Sequence, residues 1–420
     1  MRRTLLLTFL AFFFSSCSKK EGQTLQYSCF DLRMDGSWMV PDVGVPSTCS
    51  TFAYGDSTKA SLSVLTAPTP LANAGEYTYA ISATNFTTSS SLVILGNETS
   101  SKIIASIPGA KPIIELLTDP QAIYAVHLDG KVDAMDHGGK NLWSAHLSGF
   151  STAHSILTGE ALIGATDSAI TSIDIRSGKI IWSYPTSIGT ARSLIYDDRT
   201  KCCIALLSAY NRGVPDTIIT FASKGEVRAR LGFPGMRIIS NLCLCGKDRN
   251  KIALGYLKEA GSGLSERTMH VAIYSGIEDS VSRNLSDHTI SYFATKICSN
   301  GPVVLSAGFY SGSGDLESGI DAFYADDTLK LWQRRFTYPV VTPVGISTKY
   351  AYFALTFSTE SVVPSRSIFY TLDLSTGKTL GELPVGGKAE GMVNAIPMPM
   401  NERGFMMADP LRPVIYFLKP

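Results

Sequence analysis

Two adjacent cysteines, Cys202 and Cys203, are the pair in this 420-residue chain that most invites a chemical role. Adjacent cysteines could form a vicinal disulfide, a redox-active group. They stand within Lys201-Cys202-Cys203-Ile204-Ala205-Leu206-Leu207, which reads as a buried inner strand. Adjacent strand residues point to opposite faces, so a bridge between them would break the strand. The pair is therefore read as two small buried hydrophobes. Cys243 and Cys245 share one strand face, and with Cys298 they supply the donor type of a metal site. No histidine is near in sequence and Cys298 belongs to a later repeat, so no metal is expected. His127, His137, His146 and His154 crowd into 28 residues, yet none is spaced as HxH or HxxxH. They read as surface or hydrogen-bonded histidines. Asp197-Asp198, Glu278-Asp279 and Asp326-Asp327 fall in predicted turns, where an Asp caps its own backbone. Gly261-Ser262-Gly263 and Gly312-Ser313-Gly314-Asp315 do not lead from a strand into a helix, so they read as loops and not nucleotide fingerprints. No catalytic residue and no cofactor is assigned.

The chain has eight cysteines, the first at position 17 behind the N-terminal run. Arg2 and Arg3 precede an apolar run from Leu5 to Phe14, about half the length of a membrane-spanning helix. That is the layout of a secretory signal peptide. The following Phe14-Ser15-Ser16-Cys17 resembles the lipobox of bacterial lipoproteins, with Phe14 where Leu is usual. The resemblance implies cleavage before Cys17 and acylation of that cysteine, and several acyl chains hold a protein stably on a membrane. Seven cysteines then remain, and Cys29 with Cys49 is the expected bridge, both lying in the irregular N-terminal segment of an exported protein. Lys+Arg is 37 and Asp+Glu is 36, so no electrostatic footprint for nucleic acid exists. With hydrophobic residues at 45%, extensive disorder is excluded.

The elements that would position any site come from a repeat. Ile173-Asp174-Ile175-Arg176-Ser177-Gly178-Lys179-Ile180-Ile181-Trp182 parallels Leu372-Asp373-Leu374-Ser375-Thr376-Gly377-Lys378-Thr379-Leu380. Asp136-His137-Gly138-Gly139-Lys140-Asn141-Leu142-Trp143 repeats the turn and the tryptophan, and Ala325–Trp332 is a looser copy. Phe221–Val227 keeps the turn without the tryptophan. Trp143 and Trp182 each stand four residues after a turn glycine. Successive turns, near residues 139, 178, 225, 277, 328 and 377, lie 39 to about 52 residues apart, with two further strands in each interval. Four strands per period make a β-propeller blade. The turn glycine permits positive φ in the hairpin, and the tryptophan on the outer strand is expected to pack against the neighbouring blade.

The pattern resembles the quinoprotein-type (PQQ-like) propeller repeat, carried by Asp174, Gly178, Lys179 and Trp182 and by Asp373, Thr376, Gly377 and Lys378. Gly381 stands where that repeat has Trp. The expected fold is all-β: a propeller of four-stranded blades, eight preferred, with seven blades starting near residue 105 as the alternative. The expected division is a signal peptide over 1–16, a lipidated tether over 17–24, an N-terminal segment over 25–57 that closes the ring, and the propeller over 58–420. Ser91–Gly96 and Lys102–Ile107 read as an early outer hairpin, with Glu76–Ala83 and Ala60–Leu65 as its inner strands. At the far end Gly391–Ile396, Gly404–Ala408 and Val414–Leu418 supply three strands, and the fourth is expected from Tyr27–Leu32 or Thr51–Tyr54.

Lipobox, tether, repeat and length together are similar to the BamB family. That resemblance implies a lipid-anchored scaffold of the outer membrane facing the periplasm, working with protein partners in outer-membrane barrel assembly. Two other readings stand beside it. One is a quinone-dependent dehydrogenase, in which adjacent cysteines sit against the cofactor. The other is a surface adhesin or glycan binder, for which Tyr210, Phe309 and Tyr310 beside loops are the residues to note.

Overall fold

The computed structural model describes residues 48–53, 71–74, 77–83, 89–95 and 101–108, most of 111–385 apart chiefly from the loops at 210–213, 259–267, 276–282, 312–315, 337–344 and 358–365, and residues 405–409 and 414–419. Every regular element among them is a β-strand. Strand β1 is Thr48–Ala53. The first complete sheet holds β2 to β5, at Leu71–Ala74, Tyr77–Ala83, Ser89–Leu95 and Ser101–Pro108. The next holds β6 to β9, at Ile113–Thr118, Ile123–His127, Lys131–Met135 and Asn141–His146. Strands β10 to β13 follow at Ser151–Leu157, Ala161–Thr166, Ala169–Asp174 and Ile180–Pro185, then β14 to β17 at Gly189–Asp197, Cys202–Ala209, Asp216–Phe221 and Val227–Phe233. One sheet has a split first strand: β18 (Met236–Ile238) and β19 (Cys243–Cys245) both pair with β20 (Lys251–Lys258), which continues to β21 (Thr268–Ser275) and β22 (Arg283–Ile290). Strands β23 to β26 lie at Phe293–Ser299, Val303–Ser311, Leu316–Tyr324 and Lys330–Phe336, and β27 to β30 at Gly345–Ile346, Tyr350–Phe357, Arg366–Asp373 and Thr379–Val385.

The last two strands, β31 (Phe405–Asp409) and β32 (Val414–Lys419), make a hairpin. Strand β1 pairs antiparallel with β32, Thr48 opposite Lys419 and Ala53 opposite Val414. The N-terminal strand that joins the end of the chain is thus Thr48–Ala53, and Tyr27–Leu32 lies outside the described residues. One strand expectation shifts. The first strand of the β2–β5 sheet is Leu71–Ala74, separated from β3 by only Gly75 and Glu76, a length that suits a tight hairpin. Ala60–Leu65 and Gly391–Ile396 lie outside the described residues.

First strands touch in succession, β2 with β6, β6 with β10, β10 with β14, β14 with β19, β19 with β23 and β23 with β27. They therefore gather around a common axis while fourth strands lie outside. Burial follows. Second strands β7 and β11 are buried at every position, because neighbouring sheets cover both faces. Fourth strands β9, β13 and β17 alternate, with solvent on one side.

One device recurs that the sequence did not announce. In seven sheets of the described residues the pairing of third and fourth strands slips by one residue just after the hairpin. The residue beyond the slip is Ala105, Trp143, Trp182, Ala229, Ser286, Trp332 or Gly381. A bulge increases local twist and bends the strand. At Ala105, Trp143, Trp182 and Trp332 it turns the side chain toward the hairpin of the next sheet.

Candidate functional site

Three of those side chains are tryptophans, and each lies beneath the hairpin of the following sheet. Trp143 Nε1–H donates to Ile175 O (2.9 Å), Trp182 to Ser223 O (3.0 Å) and Trp332 to Leu374 O (2.7 Å). Trp182 and Trp332 are buried and Trp143 is half-buried. The glycine of the covering hairpin has positive φ, +69° at Gly178, +85° at Gly225 and +67° at Gly377. A Cβ there would come within 2.7 Å of Trp143, 2.5 Å of Trp182 or 2.6 Å of Trp332. So the repeat encodes two halves of different seams: its glycine seats the preceding tryptophan, and its own tryptophan reaches forward. Gly139, also at positive φ, covers Ala105 in the same way. The aspartates of the motif hold the turns. Asp174 Oδ1 accepts from the N–H groups of Arg176 and Ser177, and Asp373 Oδ1 from those of Ser375 and Thr376. Hydroxyl hydrogen bonds from Ser177 to Asp174, and from Ser375 and Thr376 to Asp373, do most to hold both carboxyls below their usual range, and the N–H bonds add to them.

A second set of contacts joins the first strands near the axis. Glu115 Oε2 accepts from Ser155 N–H (2.9 Å) and its Oε1 pairs with His154 Nδ1 (2.8 Å). Ser193 Oγ accepts from Leu242 N–H (3.0 Å). Asn241 Oδ1 accepts from Ile297 N–H (3.0 Å) and its Nδ2 donates to Ile297 O (2.9 Å). Arg192 Nη1 donates to Ile238 O (3.0 Å). Glu115 and Ser193 stand just beyond bulges in β6 and β14. A buried polar group without a partner is costly, and here one sheet's side chain satisfies backbone freed on the next. These charged and polar residues hold the ring together.

The cysteines and histidines that stand out in the sequence are mostly buried or hydrogen-bonded. Cys202, Cys203, Cys243, Cys245 and Cys298 are buried thiols. Burial, with a smaller contribution from Cys202, pushes the Cys203 thiol up to about 12, so it is not a thiolate at neutral pH. Burial likewise lifts Cys245 to about 12. His127 Nε2 pairs with Asp133 Oδ2 (2.9 Å), and His137 Nε2 lies 3.0 Å from Asp119 O. Cys49 belongs to β1, opposite Leu418. Its expected partner Cys29, the acylation site Cys17 and Tyr210 lie outside the described residues. Phe309 and Tyr310 belong to β24. Asp326 departs from expectation. It does not cap its own turn but takes Lys251 Nζ (2.5 Å) and Lys247 N–H (3.2 Å) from the preceding sheet.

One surface feature repeats. Seven of the ten large exposed hydrophobics of the described residues are Leu142, Ile180, Ile181, Val227, Leu285, Leu329 and Leu380. Each lies at or beside the start of a fourth strand, on six consecutive sheets. The bulge explains them: when the strand turns its tryptophan-position residue inward, the residues before it face solvent.

Four-stranded antiparallel sheets following one another around an axis define a β-propeller. No family model and no curated protein matches the chain. Solved structures do. The BamB structure from Moraxella catarrhalis is similar over 89% of this chain and 98% of that one, at 15% identity and a TM-score of 0.58. Quinohemoprotein alcohol dehydrogenase from Comamonas testosteroni is similar over 94% of this chain and 83% of that one, at 11% identity and a TM-score of 0.59. The computationally designed Ika8 protein is similar over 89% of this chain and all of that one, at 13% identity and a TM-score of 0.56. Such likeness shows the fold, and a fold shared by these three does not fix an activity.

Proposed function

We propose that this protein is a lipid-anchored propeller of the bacterial cell envelope, a BamB-like scaffold that binds protein partners in outer-membrane protein assembly. On this reading the eight sheets are eight blades of one ring, Cys17 carries the lipid, and the ring faces the periplasm. The reading gives the protein no cofactor and makes binding its main work. The observation that carries it is the row of exposed aliphatic side chains on the outer strands, from Leu142 to Leu380. The propeller fold shared with BamB supports it, as does the Ser15-Ser16-Cys17 sequence behind a short apolar run.

The test is purification of the tagged protein from its native envelope, followed by mass spectrometry. Barrel-assembly subunits are expected to co-elute, and an Ile180→Asp/Ile181→Asp variant with unchanged melting is expected to lose them. An eluate without those subunits overturns the assembly reading. Cys17→Ser is expected to release the protein from membranes. Persistence of that variant in the detergent-soluble membrane fraction at high salt overturns the anchor.

A further inference from the structure

The β18–β22 sheet, with Ser286 at the tryptophan position, carries a hydrogen-bonded chain the seams do not use. Alternation along β21 puts Thr268 and His270 on one face. Asp287 on β22 stands opposite Ala272, two residues beyond His270 and on that same face. Thr268 Oγ1 lies 2.8 Å from His270 Nε2, and His270 Nδ1 lies 2.8 Å from Asp287 Oδ1. Tyr256 on β20 stacks on the imidazole, ring centres 4.9 Å apart, and donates its hydroxyl to Asp287 Oδ2 (2.7 Å).

The proton positions follow. Burial, reinforced by Asp287, raises the Tyr256 phenol well above its usual value, so it stays a donor. An ionised carboxylate only accepts. Asp287 therefore takes the Tyr256 proton bond on one oxygen and the His270 Nδ1–H on the other. That fixes the neutral imidazole with Nε2 unprotonated, and Thr268 must donate to it. His270 is buried while Thr268 is exposed, so the base is sheltered behind a residue at the surface. A hydroxyl, a base within hydrogen-bond reach and a group orienting that base are the parts of an activated nucleophile.

We propose that Thr268, with His270 as its base and Asp287 as the positioning residue, accepts acyl groups from small activated carboxylic esters. Thr268 Oγ attacks the ester carbonyl and its proton passes to His270 Nε2. The carbonyl–alkoxy bond breaks, and the leaving alkoxide takes the proton from the imidazolium. Water, deprotonated by the same imidazole, then releases a carboxylic acid and restores the hydroxyl. This inference does not rest on the scaffold reading, and either can fail alone.

The test uses the full-length protein and p-nitrophenyl acetate. A burst of one nitrophenolate per chain is expected, with the acetyl group mapped to Thr268 by tandem mass spectrometry. His270→Gln is expected to slow the burst about a hundredfold, the usual scale for a lost general base, and Thr268→Ser to retain it. Asp287→Asn is expected to slow the burst while leaving the melting temperature in place, because the imidazole loses the acceptor that fixes its tautomer. A variant that bursts at the wild-type rate would deny Asp287 the positioning role. Acetyl groups found only on lysines in the wild-type protein, or a burst unchanged in His270→Gln, overturn the proposal whatever the stability of the variants.

Discussion

The seam after sheet β10–β13 and the seam after sheet β18–β22 solve one packing problem with different chemistry. In the first, Trp182 lies beneath Gly225, stacks on Phe221 with centroids 5.4 Å apart, and anchors its indole N–H on Ser223 O. In the second, Ser286 occupies the tryptophan position, and its buried hydroxyl has no hydrogen-bond partner. There Lys251 and Lys247 grip Asp326, and His288 stacks on Phe323 at 4.4 Å. The aromatic seam draws on apolar area, which is indifferent to salt and to acid. The polar seam is directional, half exposed on its Asp326 side, and answers to both. A ring of similar sheets can therefore have unequal joints.

Removing the aromatic should have the largest effect. Trp182→Ala is expected to cost about 3–5 kcal/mol, the range for a large buried aromatic, measured by urea unfolding. A midpoint that does not move would mean the tryptophan bears no load. Next comes its lid. Gly178→Ala combines positive-φ strain with a Cβ 2.7 Å from Trp143, whereas Gly235, at φ +71°, has nothing within 4 Å of an added Cβ. Gly235→Ala should cost roughly 1 kcal/mol from backbone strain, and Gly178→Ala more. The excess should shrink when Trp143→Ala is added, and a strictly additive double mutant would deny the contact.

Acid probes a buried carboxyl in the sheet that supplies Trp143. Burial would raise Asp133, but hydrogen bonds from His127, Lys131 and Ser144 outweigh it and hold it at about 2. A depressed folded-state value contributes stability above the unfolded value near 4, and that stability is lost as pH falls from about 4 through about 2. The expected loss is about 2 kcal/mol. Asp133→Asn should flatten the stability profile across that window, and an unchanged profile would place the acid sensitivity elsewhere. Smallest is the polar seam. Asp326 is held below its ordinary value chiefly by the hydrogen bond from Lys251, but it is half exposed. Lys251→Met should cost at most about 1 kcal/mol, and less still at high salt. A loss as large as that of Trp182→Ala would erase the contrast between the seams.

The sequence makes one half of this architecture readable and hides the other. Gly178 and Trp182 are legible because a hairpin and the strand after it are local, and the same residue types recur at the same spacing. The clasp of Glu115 on Ser155 N–H is not, since its partners are 40 residues apart and share no motif. Asn241 and Ile297 are 56 apart for the same reason. The bulges escape notice because they add one ordinary residue, Leu142 or Ile181, whose apolar character suggests burial rather than exposure. Asp326 misleads in another way: an Asp in a turn has good reason to cap its own backbone, and only the neighbouring sheet's lysines draw it outward. Thr268 and His270 show their shared face by alternation, but Asp287 joins them only through the register of β21 with β22.

The pairing of β1 with β32 also has a consequence in time. Synthesis runs from the N-terminus, so Thr48 emerges long before its partner Lys419. At about 5–20 residues per second, that delay is on the order of tens of seconds. Each intervening sheet can pair its own strands as they appear, from neighbours in sequence. Strand β1 alone must keep its edge uncommitted until the chain is nearly finished. Closure is thus a late, long-range step, slow for the reason that all distant contacts are slow. Until it occurs, the first strand of the described residues keeps an unpaired edge, the kind that invites pairing with another chain.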